Sequence, residues 1–282
     1  MKTALLVTAL LAGSASADPL KVEVFTGSPQ GFLVDSTIVS GAHDAILIDA
    51  QFDRADAHRL VAQLIESKKT LTTVYITHAH PDHYFGLEVV HQAFPKAKLV
   101  ALPATVAEIA KTWRPKVAQW QPLYGDNLTS TPVLPVAMTG TTLSLEGQTL
   151  EVHGGAQGDS SSNSYVWIPS ISTVVAGDIV YRGVHVWTAD TNAAARAAWA
   201  KSLDTLAALH PVAVIPGHKD PKLDNAPASL AETKSYLAAF DAALASSKSA
   251  PDLEAKVKAK YPALALDVIL HFGALAQFPA AK

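Results

Sequence analysis

The feature that most restricts this chain is Thr77-His78-Ala79-His80-Pro81-Asp82-His83, with three imidazoles and a carboxylate within six residues. Just upstream, Thr73-Val74-Tyr75-Ile76 reads as a short buried strand, and just downstream Tyr84 to Phe94 reads as a helix. The cluster therefore sits where a strand hands over to a helix. Alternate side chains of an extended segment share a direction, so His78 and His80 can reach one cation together. The chain then turns, and Asp82 and His83 leave in another direction, better suited to a second cation. Neutral imidazole and carboxylate are the donors that Zn²⁺ and its neighbours prefer. The 282 residues contain no cysteine, so a metal site must be built from His, Asp and Glu, and no disulfide can brace it.

The N-terminus has its own grammar. Met1-Lys2 is a short basic start, Ala4 to Leu11 an apolar run, and Ala15-Ser16-Ala17 a small-x-small cleavage site before Asp18. This is the layout of a secretory signal peptide over residues 1–17, too short for a stable membrane anchor. The expectation is an exported chain, resident in a bacterial periplasm, whose residues 18–282 form a single domain. No other stretch has the uninterrupted apolar length of a transmembrane helix. A composition of 49% hydrophobic and 17% charged residues supplies a sizeable core. A formal charge of −3 gives no footprint for nucleic acid or an anionic membrane. The expected partner is a small-molecule substrate, and the sequence does not set the oligomeric state.

Elsewhere, Val22 to Phe25 and Phe32 to Val34 read as short antiparallel strands, and Asp44 to Asp49 as a buried strand ending in an acid. Arg54 to Ser67 has helical spacing, and Lys98 to Ala101 is another strand. Residues 103–135 hold Pro103, Pro115, Pro122, Pro132 and Pro135 together with Trp113, Trp120 and Tyr124. They read as an insertion over the edge of the sheet. Trp113 and Trp120 either wall a substrate pocket or pack a helix onto the domain. Leu143 to His153 reads as a hairpin turning at Glu146-Gly147, Ser172 to Tyr181 as a strand delivering Gly177-Asp178, and Asp190 to Leu209 as an alanine-rich helix. Val212 to His218 is a strand ending in Pro-Gly-His. Residues 228–278, within a C-terminal region of about 224–282, read as helices without evident chemistry. The order strands, helix, strand, helix thus occurs twice.

The run His78-x-His80-x-Asp82-His83 resembles the His-x-His-x-Asp-His signature of the metallo-β-lactamase superfamily. Gly177-Asp178 and Pro216-Gly217-His218 resemble later motifs of that superfamily and follow in order. The resemblance covers residues 21 to about 220. It implies an α/β protein, the αββα sandwich of that fold, here with C-terminal helices. It also implies two Zn²⁺ per chain, with Fe or Mn as alternatives. Asp82, His83 and His218 would hold one cation, His78, His80 and a third ligand the other, and Asp178 would bridge them. Gly158-Asp159-Ser160 stands where the superfamily usually reads Gly-His-Ser or Gly-His-Thr, so Asp159 takes the place of the third histidine. An oxygen donor can still bind Zn²⁺. His153 competes for that role if the loop folds back. Asp49 sits where the superfamily commonly has a structural Asp, and either orients a metal ligand or caps its strand. Candidate pocket residues are Tyr84, Tyr181 and His185 beside Trp113 and Trp120. The implied activity is that of a dinuclear hydrolase of β-lactamase or lactonase type. In it a metal-bridged hydroxide attacks a small-molecule ester, lactone or lactam, β-lactams included, with Asp82 and Asp178 as the catalytic carboxylates. The alternatives are a mononuclear iron oxygenase on the same fold and a non-catalytic periplasmic metal-binding protein.

Overall fold

The computed structural model describes residues 18–278, and the signal-like segment 1–17 lies outside the described residues. Strands β1 (Lys21–Thr26), β2 (Asp35–Ser40), β3 (Asp44–Ile48), β4 (Thr70–Ile76), β5 (Lys98–Ala101) and β6 (Val136–Ala137) lie side by side in chain order. The pairs β1–β2 and β2–β3 are antiparallel, and those from β3 to β6 are parallel. Parallel neighbours need crossovers. Helix α1 (Arg54–Glu66), the pair α2 (Pro81–Tyr84) and α3 (Leu87–Ala93), and α4 (Pro103–Tyr124) supply them.

A second sheet uses β7 (Thr142–Leu145), β8 (Gln148–Ala156), β9 (Asn163–Ile168), β10 (Thr173–Val175) and, after a crossover, β12 (Ala213–Ile215). Its spatial order is β12-β10-β9-β8-β7, while β11 (Tyr181–Arg182) pairs with β13 (His218–Lys219). Helices α5 (Ala193–Ala207), α6 (Ala228–Ser246), α7 (Ala250–Lys260) and α8 (Asp267–Gln277) complete the chain.

Alternation along the strands decides the layers. Val39, Ile46, Ile48 and Tyr75 of the first sheet meet Leu150, Val152, Val166, Ile168, Val175 and Ile215 of the second. Ala45, Leu47, Val74 and Ile76 point the other way, onto Leu60, Leu64, Val90 and Ile109 of the helices. Tyr165, Val174 and Val214 likewise back onto Trp199, Leu203, Phe240, Leu253 and Leu270. The result is the four-layer αββα sandwich, and strands covered on both faces explain the unbroken apolar run at Ala45 to Ile48. At one end the two sheets are tied by Ser164. Its Oγ donates to the Thr77 carbonyl at 2.5 Å and lies 2.6 Å from the Tyr75 hydroxyl.

Two local expectations are corrected. Phe32 to Val34 is not a strand. Pro29–Gly31 forms one tight helical turn capped by Ser28, whose N–H and hydroxyl both bond to Asp56. Phe32 and Leu33 then take left-handed φ values of 62° and 53°, uncommon for bulky side chains, before β2 begins. The helix expected from Tyr84 to Phe94 starts earlier, because Pro81 occupies the first helical position that suits proline. It is also broken at Gly86, where a β-carbon would lie 2.0 Å from the Ala50 carbonyl. That close approach lets α2 rest against the end of β3.

Candidate metal centre

Strand ends bring the candidate ligands to one edge of the sandwich. β3 ends at Asp49, β4 runs into Thr77, His78 and His80, β10 runs into Asp178, and β12 is followed by His218. β9 is antiparallel to β10, so the turn that precedes it brings Asp159 to the same edge. Two groups result: His78, His80, Asp159 and Asp178, and then Asp82, His83 and His218. Within each group the ligand atoms all lie within 4.8 Å of one another.

Asp178 stands between the groups. Its Oδ2 is 3.1 Å from His218 Nε2 and 3.7 Å from His78 Nε2, and its Oδ1 is 3.1 Å from His83 Nε2. Asp82 Oδ2 is 3.4 Å from His218 Nε2 and 3.7 Å from His83 Nε2. Asp159 Oδ2 is 2.6 Å from His80 Nδ1 and 4.0 Å from His78 Nε2. Close backbone passage is required here: a β-carbon on Gly217 would sit 1.9 Å from Asp178 Oδ1.

Outer contacts fix which atoms face inward. His83 Nδ1 donates to Asp49 Oδ2 at 2.8 Å, and Asp49 also accepts the Thr77 N–H and hydroxyl at 2.8 Å each. Asp49 therefore does both things open to it at the sequence level: it closes the strand end and orients a histidine. With the Thr77 hydroxyl proton spent on Asp49, Thr77 Oγ1 accepts from His78 Nδ1 at 3.0 Å. His218 Nδ1 donates to the Phe32 carbonyl at 2.7 Å. A proton placed on Nδ1 leaves Nε2 of each ring as the free lone pair. His80 is reversed, with Nδ1 inward and Nε2 3.5 Å from Asp190 Oδ2. Asn163 donates to Asp159 Oδ1 at 2.9 Å, and Asp159 Oδ2 is left for the centre. Tyr181 donates to Asp178 Oδ2 at 2.7 Å and stacks on His218 with ring centroids 5.1 Å apart.

The charge balance follows. Burial pushes the Asp178 carboxyl up, but His218, His83 and His78 around it hold it well below the carboxylate range. Burial raises Asp159 against the pull of His80. Tyr181 is pushed well above the ordinary phenol value by burial and by Asp178, so it stays a donor. His78 Nε2, His83 Nε2, Asp159 Oδ2 and Asp178 Oδ1 are buried without a hydrogen-bond partner. Folded proteins seldom leave such atoms unsatisfied. Four of them, drawn from both groups and all of the imidazole or carboxylate type, fit a pair of divalent cations.

Above the groups lies a cleft holding about 470 Å³ of space, part of it open to solvent. Phe32, Trp120, Trp187 and Ile269 give it apolar walls, Lys116 and Gln119 a polar margin, and His80, Asp82, Asp178 and His218 reach it from below. Of the pocket residues expected from sequence, Trp120 lines the cleft. Trp113 instead packs against the core beneath α4, with the Arg114 guanidinium 4.2 Å over its ring. Tyr84 is buried in the first-sheet core, and Tyr181 lies behind Asp178. His185 is turned away, its Nδ1 3.0 Å from the Tyr236 hydroxyl and its Nε2 3.5 Å from Asp267. His153 joins neither group. It stacks on Tyr165 at 4.7 Å and its side chain is 41% exposed, because Leu150 and Val152 take the inward phase of β8. Sequence reasoning missed Phe32, Lys116, Trp187, Asp190 and Ile269. The one local signal was Trp187, three residues before Asp190, whose carboxylate accepts the indole N–H at 2.8 Å.

Comparison with known proteins gives the following. The profile of the metallo-beta-lactamase superfamily matches residues 29–218, a span that holds every member of both groups. A metallo-beta-lactamase type 2 from Bacillus sp. (strain 170) is 26% identical over 176 residues, covering 60% of this chain and 61% of that protein. The match thus spans less than two thirds of that relative's length. A metallo-beta-lactamase family protein from Thermus thermophilus superposes with a TM-score of 0.65 at 20% identity, over 92% of this chain and 91% of that one. A metallo-beta-lactamase from Pontibacter korlensis superposes with a TM-score of 0.58 at 21% identity, over 80% and 97%. At such identities the solved structures show a shared fold.

Proposed function

Because this chain belongs to the metallo-beta-lactamase superfamily, we propose that it is a dinuclear metal hydrolase acting on a small-molecule ester, lactone or lactam. The observation that carries the proposal is the pair of ligand groups meeting at Asp178, with buried donor atoms of both left unpartnered. His78, His80 and Asp159 would hold one cation, Asp82, His83 and His218 the other, and Asp178 would touch both. Bound there, the cations supply a Lewis acid that acidifies water and polarises an acyl carbonyl.

The chain's own residues do the rest. Asp49, Thr77 and the Phe32 carbonyl hold the imidazole rings so that Nε2 points inward. Tyr181 fixes one oxygen of Asp178. Asp82, with its side chain 14% exposed against 2% for Asp178, is the more exposed of the two acids that line the cleft, and it is placed to carry a proton to a leaving group. Phe32, Trp120, Trp187 and Ile269 exclude water around the acyl group, and Lys116 attracts a negative charge borne by the substrate.

A one-iron oxygenase would use the first group and leave Asp82, His83 and His218 idle. A metal store would have no use for an apolar cleft over its ligands. The test is turnover of an ester, lactone, lactam and phosphodiester panel by metal-loaded protein. Cleavage of at least one acyl substrate is expected, lost to a chelator and restored by Zn²⁺. No acyl cleavage by fully loaded protein would contradict the proposal.

A further inference from the structure

We infer that the substrate carries an unbranched apolar arm, an alkyl or acyl chain, that runs out of the metal cleft into a groove between α4 and α8. The inference rests on the hydrolase reading and adds to it the class of substrate.

Beside the cleft lies an open groove with about 910 Å³ of space, walled by Pro29, Phe32, Trp120, Leu123, Val268 and Phe272. Phe32 and Trp120 belong to the cleft as well, so the two spaces share a wall. Aromatic rings step from one to the other. Phe272 is 6.2 Å from Trp120 and 6.0 Å from Trp187, and Trp187 is 6.3 Å from the ring of His80. Leu123 is 73% exposed and Val268 41%, so the groove floor continues into apolar surface that lacks cover within the described residues.

The chemistry of the lining selects the occupant. Among the described residues the groove has no charged side chain. Two of its polar groups are already engaged: the Tyr124 hydroxyl donates to the Gln30 carbonyl, and Asn127 Oδ1 accepts the Ala55 N–H. A peptide would find few partners for its backbone there, whereas a hydrocarbon chain needs none. Trp120 Nε1 is buried and unpartnered on the shared wall, a donor available to an acyl oxygen at the root of the arm. Two of the walls, Val268 and Phe272, lie beyond residues 29–218, the span that matches the superfamily profile. On α8, Ile269 faces the cleft while Val268 and Phe272 face the groove. One C-terminal helix thus reads both the reacting end and the arm.

The test uses the metal-loaded full chain and two series. One is binding of straight-chain carboxylates from butanoate to decanoate, followed by tryptophan fluorescence. The other is kcat/KM for p-nitrophenyl esters of the same acids. Binding should tighten by about fourfold per methylene until the groove is filled, since burying a methylene is worth about 0.8 kcal/mol. Leu123→Asp and Val268→Asp, both at exposed positions, should flatten the series. Val268→Met should restore it. A flat series in the parent chain, or one equally steep in both Asp variants, would overturn the assignment. So would a parent dimer, seen by sedimentation, that the Asp variants split without changing the series; a second copy would then be the occupant. A steep binding series with no ester turned over would support the groove and remove the hydrolase reading.

Discussion

Asp178→Asn should empty the centre of metal while leaving the fold in place. The side chain is buried, belongs to the first ligand group and lies 3.1 Å from both His218 Nε2 and His83 Nε2 of the second, so it joins the two. Asparagine keeps the shape and an oxygen for the Tyr181 hydroxyl, but it removes the charge that faces three imidazoles. Losing a partner that only orients a ligand already costs roughly 10–100-fold in metal affinity or activity, and a shared ligand should exceed that range. The expected result is fewer than one cation per chain and kcat/KM down by more than about 100-fold. Circular dichroism should match the parent. Full metal content in Asp178→Asn would remove this residue from the centre.

The second large effect is expected at Asp159. It is fully buried, and Asn163 already occupies one of its oxygens. Asp159→Ala removes the inward oxygen 2.6 Å from His80 Nδ1, so the cation at His78 and His80 should be lost and the one at His83 and His218 retained. Asp159→His should keep both. It also takes one negative charge from the first group, which leaves the cation a stronger Lewis acid, so the rising limb of the pH–rate profile should move to lower pH. His153→Ala should leave metal content unchanged, since that ring sits on the exposed face of β8. Loss of a metal in His153→Ala but not in Asp159→Ala would reverse the assignment.

Much of the centre was legible because its chemistry is local. Four candidate ligands fall in one run from His78 to His83, and strand alternation alone pairs the first two. Asp178 and His218 are legible through the likeness of Gly177-Asp178 and Pro216-Gly217-His218 to later motifs of the superfamily, in order after the first run. The contest between His153 and Asp159 stays open in the sequence, and it is the fold that turns His153 onto Tyr165 and away from both groups. What failed depends on distant contacts. Phe32 to Val34 looks like a strand, yet Ser28 bonded to Asp56, in the first turn of α1, sets a tight turn there. That turn aims the Phe32 carbonyl at His218, 186 residues further on. His185 looked like a pocket residue in a loop after Asp178, but Tyr236 of α6 draws it away. The C-terminal helices showed no chemistry as sequence because their part is to supply walls, and an apolar wall cannot be told from core until its neighbours are known.

The most direct measurement is a metal titration of the apo chain, with bound metal counted by elemental analysis after gel filtration. Two groups of candidate ligands, each with buried unpartnered donor atoms and joined by Asp178, predict two equivalents of Zn²⁺ per chain. A single equivalent at saturation, unchanged by His218→Ala, would contradict the dinuclear centre on which this account stands.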